Sequence, residues 1–114
     1  MAQEDPIAKI EKLLEESQKL RLNAILSRIG AVHALCSIAE TEVRWEPPEV
    51  AEPSVQKVQK SIEGLYRHID NPQHVPAELR EEFRRKVAEI ETRLLKISQL
   101  LRNLDQLRAW HHTV

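Results

Sequence analysis

An all-α fold is predicted, on three observations. The ladder Leu79, Phe83, Val87, Ile90, Leu94, Ile97, Leu101, Leu104 advances in steps of four and three. That spacing puts every rung on one stripe of a helix, whereas a strand would need alternation by two. Only two glycines, Gly30 and Gly64, and 4% aromatic residues are present, too few for sheets with tight hairpins. Finally, proline-containing stretches divide the chain into three apolar-striped segments joined by short connections, the pattern of an antiparallel three-helix bundle.

The first helix is expected over about residues 6–43. Asp5 can accept hydrogen bonds from the orphan amides of the first turn, and Pro6 sits where its missing N–H costs nothing. Ile7, Ile10, Leu13, Leu14, Leu20, Ala24, Ile25, Val32, Leu35 and Ile38 then keep broadly helical spacing. Gly30 lies inside this helix at a cost of about 1 kcal/mol relative to alanine, which suggests a bend or a close helix crossing there.

Residues 44–53 are expected to form a proline-rich joint, because Pro47, Pro48 and Pro53 remove amide donors and favour extended backbone. Ser54 offers an N-cap, and Val55, Val58, Ile62, Leu65 and Ile69 make a second, shorter helix over about 55–70. Pro72 ends it by pushing the preceding residue out of helical geometry. The third helix is expected from about residue 76 to 110, a rod of roughly 50 Å. The result is one domain over residues 1–114, long–short–long, in which overhanging ends of the long helices are read first as frayed ends, with exposed apolar surface for self-association as the alternative.

Charge narrows the function classes. The formal net charge is −1, with both signs mixed along every segment, so no basic surface for nucleic acid is expected. No uninterrupted apolar run reaches the length of a membrane span, and Glu4 and Asp5 stand where a secretory signal would be basic and then apolar. With a single cysteine, Cys36, and hence no internal disulfide, the expected location is the reducing cytoplasm.

Chemistry-bearing motifs are scarce. Adjacent His111 and His112 diverge by about 100° on a helix and lack further ligands, so no metal is expected. His33, His68 and His74 are read as isolated surface or cap residues, and Cys36 as a packed thiol instead of a nucleophile. Neighbouring carboxylates such as Glu15-Glu16 and Glu81-Glu82 diverge too much to flank one scissile bond, and neither glycine belongs to a phosphate loop. The chain is therefore expected to be non-enzymatic, without cofactor. Trp45 is expected to pack the joint onto the bundle, and Trp110 to cap an open end.

The candidate partner-binding surface flanks the seams of helices two and three. Glu63 and Asp70 are seven apart on one, Arg84 and Glu91 seven apart on the other, so each pair lies along one edge of its rod. Three acids and an arginine so placed can steer an oppositely patterned protein and set its register.

These residues are similar to those of BAG domains, a family of chaperone regulators. Ile7-Ala8-Lys9-Ile10-Glu11-Lys12-Leu13-Leu14, followed by Gln18 and Leu20, looks like their first helix. Leu65 through Asp70, the proline-containing turn, and Glu78 through Ile90 resemble their second-to-third-helix corner. The resemblance implies a bundle whose second and third helices grip the ATPase domain of a heat-shock chaperone and promote nucleotide exchange. By position, Asp70 matches the family's acidic contact and Arg84 its helix-three arginine. Glu63 approximates a helix-two glutamate, and Glu91 stands where a glutamine is usual. The alternative is a structural or adaptor subunit whose stripes pair with other helices in a larger assembly or a homodimer.

Overall fold

The computed structural model describes residues 5–113, with side chains through Trp110. The His111-His112 pair and the opening residues up to Glu4 lie outside the described side chains. Three helices follow in order, α1 (Pro6–Trp45), α2 (Pro48–Asp70) and α3 (Ala77–Thr113), and no strand occurs among the described residues. They pack antiparallel into a slender all-α bundle of 87 × 22 × 14 Å.

Local chemistry sets the ends. The Asp5 carboxylate accepts from the Ile7 amide at 3.1 Å, and Pro6 opens the first turn of α1. At the other end the Glu46 amide donates to the Glu42 carbonyl at 2.7 Å before Pro47 stops the helix.

The joint is shorter than its prolines suggest. Pro47 is already the N-cap of α2 and Pro48 its first residue, where no intrahelical donor is required. Pro53 lies inside the helix. The amide it lacks would have served the Glu49 carbonyl, in an exposed first turn, while Ala51, Val55 and Val58 on the opposite side are buried. Core burial thus carries the helix through a proline that would otherwise end it. Ser54 is consequently an interior residue and not the N-cap, and its hydroxyl donates to the Glu42 carboxylate of α1, fastening the two helices beside the corner.

The second corner is built around Asn71. Its carbonyl accepts from His74 and Val75 at 2.9 and 3.1 Å, and its side-chain oxygen accepts from the Gln73 amide at 3.0 Å. Val75 is fully buried beneath this turn.

The core is continuous. Ala51, Val55, Val58, Ile62, Leu65 and Ile69 of α2 meet Phe83, Val87, Ile90, Leu94 and Ile97 of α3, as their spacing predicts. The α1 contribution is Ile25, Ile29, Val32, Cys36, Ala39 and Val43. Ile38 and Ala24, members of the broadly helical apolar pattern of α1, are exposed, because a stripe continuing from Ile25 selects Cys36 and Ala39 instead. Arg93 clamps α3 to α1, donating to the His33 carbonyl at 3.2 Å, the Ser37 hydroxyl at 2.8 Å and the Glu40 carboxylate at 3.2 Å. That last hydrogen bond, helped by one from Arg44, holds the Glu40 carboxyl below the usual range.

Nothing approaches Gly30: a methyl group added there would meet no atom within 4 Å, so the expected close crossing does not occur inside the chain. Trp45, at the last residue of α1, does not pack on the bundle and is 81% exposed, and Trp110 is also exposed. The first turns of α1 overhang the α2–α3 corner, with Ile7, Ile10, Leu13, Leu14 and Leu20 all exposed.

α1 also meets the length and composition test for a membrane span, contrary to expectation. Leu22, Ile25, Leu26, Ile29, Val32, Leu35 and Ile38, interrupted by one charged residue, Arg28, bring it there without forming an unbroken run. Only 28% of that apolar window is buried, and both the core helix of a soluble protein and a signal sequence have the same length and composition.

Candidate functional site

α2 and α3 run antiparallel, which brings the two predicted edges together. Asp70, near the end of α2, accepts a hydrogen bond and ion pair from Arg84, early in α3. Further along the same face, Glu63 and Glu91 line an open groove of about 300 Å³ together with Ile62, Tyr66, Leu94 and Leu95. All four predicted residues are exposed.

Tyr66 joins the two halves, and the sevenfold pairing of charged residues passed over it. Its hydroxyl donates to the Glu91 carboxylate, and the Arg84 guanidinium lies 5.2 Å from the centre of its ring. An arginine over a tyrosine face is held by the ring quadrupole, and its second partner Asp70 fixes the direction of the fork. The face is therefore organised as a chain, Asp70 to Arg84 to Tyr66 to Glu91, with Glu63 alongside. A signal was available: Tyr66 follows Glu63 by three and precedes Asp70 by four, which places it on the same helical edge.

Burial, and then the bond to Glu91, push the Tyr66 phenol up to about 12. The neutral phenol is the form that donates to Glu91, so its stabilising contribution is complete below the unfolded value of about 10. It is lost as pH rises through the folded value. An ultraviolet titration of this sole tyrosine should show ionisation near pH 12 in the folded chain and about 10 in denaturant, with Glu91→Gln moving the folded midpoint downward. A folded midpoint at the denatured value would dissolve the bridge.

A second cluster forms at the α1–α2 side of the corner. His68 and His74, expected to be isolated, are adjacent, with ring centroids 5.1 Å apart and their Nδ1 atoms 3.2 Å apart. Arg28 approaches His68 Nε2 at 2.8 Å. Arginine can only donate, so Nε2 accepts, and the His68 proton sits on Nδ1, pointed at His74. Burial, then the charges of Arg28 and His74, hold His68 below the usual imidazole range. Both Nδ1 atoms are thus committed to each other, and no group of three or more His, Cys, Asp or Glu among the described residues is placed to hold a metal.

Cys36 is fully buried, and burial pushes its thiol up despite the opposing charge of Arg93. A thiol so placed is unreactive packing.

Fold and site together define an elongated three-helix bundle with an ordered, charged face between its second and third helices. Comparison with protein-family models, curated proteins and solved structures returns no match.

Proposed function

We propose that this chain is a non-enzymatic protein-interaction module of the cytoplasm, a BAG-like co-chaperone that binds the ATPase domain of a heat-shock chaperone and promotes nucleotide exchange. The observation that carries this reading is the convergence of Glu63, Asp70, Arg84 and Glu91 on one exposed face around Tyr66.

The mechanism needs no catalytic side chain. A stiff two-helix face that binds the open form of a two-lobed ATPase better than the closed form shifts the population toward opening, by as much as its affinities differ. Opening exposes the bound nucleotide and speeds its release. Two features suit the face to this role. Its side chains are already held by Arg84 and Tyr66, which reduces the ordering cost on binding, and its three acids favour a basic partner surface.

Titration calorimetry of the full chain with a purified heat-shock ATPase domain, paired with release of a fluorescent ADP analogue from that domain, tests the reading. Binding with accelerated release supports the proposal. Absence of binding overturns it, and binding without acceleration leaves an adaptor in place of an exchange factor.

A further inference from the structure

The outward side of α1 carries a feature that neither the bundle nor the α2–α3 face uses. Between Leu22 and Ala39 the helix has one formal charge, Arg28, yet only its inner stripe is buried. A helix apolar all round is normally covered on every side.

The outer side is also patterned. Steps of four and three starting at Leu13 lead through Leu20 and Ile38 to Trp45 without meeting a charged side chain. This is a second coiled-coil seam, turned away from the core stripe of Ile25, Ile29 and Val32. Its four large residues are 57%, 70%, 53% and 81% exposed. Of the positions between them, Ala24, Ser27, Ala31 and Ala34 at the centre and Thr41 are exposed as well, and Ser17 is partly exposed.

We infer that this seam is the contact surface for a second copy of the chain, with the two α1 helices running antiparallel. The pattern is self-complementary in that direction. When Leu13 lies opposite Trp45 of the second copy, Leu20 meets Ile38, Ala24 meets Ala34, and Ser27 meets Ala31. Bulk at each end then packs on bulk, while the small residues at the centre let the backbones approach.

Charge agrees with this register. Glu16 and Arg44 each precede a seam position by one and lie along the same flank, so the alignment sets Glu16 of each copy beside Arg44 of the other. Arg44 bonds Glu40 at 3.4 Å within its own helix and is still more than half exposed. On the other flank Arg28 would face its own copy, but its guanidinium is turned onto His68 of α2. The overhanging first turns of α1, otherwise bare, come to lie beside the α1–α2 corner of the second copy, where Val50 is exposed.

The seam runs roughly 48 Å, and with its flanks involves about 20 residues per chain, the lower end of a standard stable interface. A lipid surface is a poorer match. Amphipathic membrane helices carry strongly basic polar faces, whereas these flanks set Glu16 and Glu42 among Arg21, Arg28 and Arg44, and Arg21 and Arg28 are turned onto their own bundle, toward the Gln73 carbonyl and His68. α1 contributes none of the residues lining the α2–α3 groove, so this dimer stands or falls separately from the proposed function.

Sedimentation equilibrium of the full chain is expected to give twice the 13.2 kDa chain mass. Ile38→Arg and Leu20→Glu should each yield monomers of unchanged helical content by circular dichroism, since both sites are exposed. Glu16→Arg or Arg44→Glu alone should weaken the dimer at least about tenfold, and the two together should restore it. A chain that stays monomeric at about 100 μM, far above the dissociation constant of an interface this size, overturns the inference, whether or not it binds anionic vesicles. A dimer that survives Ile38→Arg overturns the seam. A double charge swap weaker than either single one overturns the antiparallel register, because parallel helices would set the cation introduced at position 16 against Arg21.

Discussion

Ile90→Ala is expected to lower the unfolding free energy by about 2–5 kcal/mol, the largest stability effect of any single truncation discussed for this chain. Ile90 is fully buried on the α3 ladder, in a core shared by all three helices. Truncation removes transfer energy and leaves a cavity that neighbours on stiff helices can only partly fill. A small domain has about 5–15 kcal/mol in total, so a loss of this size is a substantial share of it. Urea unfolding followed by circular dichroism measures it, best in the Ile38→Arg background, where self-association does not make stability concentration-dependent. Leu95→Ala, at an exposed site on the groove, serves as the control and should change stability by less than about 0.5 kcal/mol. Equal effects at the two positions would contradict the assignment of the core.

The second large effect concerns binding. Arg84→Glu replaces the cation among the four predicted contact residues and sets a fourth acid beside Glu63, Asp70 and Glu91. Loss of an exposed ion pair costs the fold at most about 1 kcal/mol. A central arginine anchor contributes about 2 kcal/mol or more to an interface, so affinity for the heat-shock ATPase domain should fall at least about 30-fold. Adding Asp70→Arg rebuilds an ion pair within the chain with its polarity reversed. Affinity should stay low in this double variant if the partner reads the face directly, and should return if the pair only orders the helices. Calorimetric titration of both variants decides between these outcomes, and undiminished affinity in Arg84→Glu would remove the face from the binding site altogether.

Much of this architecture was legible because α2 and α3 each have one apolar stripe. Val55 through Ile69, and Phe83 through Ile97, are buried as their spacing requires. α1 was harder to read, because it carries apolar residues on more than one side: Ile38 and Ala39 are neighbours, and only packing tells which one turns inward. Pro53 misled for a related reason. A proline forbids one hydrogen bond, and whether a helix survives the loss depends on what its other side buries, here Ala51 and Val55.

The charged face was partly legible. Sevenfold spacing placed Glu63 with Asp70 and Arg84 with Glu91, but the partnership of Arg84 with Asp70 and of Tyr66 with Glu91 depends on how α2 slides against α3. That offset comes from the Asn71 turn and the plug of Val75, neither of which has helical periodicity. The pairing of His68 with His74 likewise arises across the turn and not along a helix.

The two tight corners bear on how quickly the chain finds its native state. Only Glu46 and Pro47 separate α1 from α2, and six residues separate α2 from α3. Little loop-closure entropy is then lost when neighbouring segments first meet, and assembly can spread outward from each bend like a zip. Topology of this kind favours refolding on the microsecond-to-millisecond scale typical of helical bundles. A freshly synthesised chain would expose its greasy stripes only briefly, with little opportunity to aggregate.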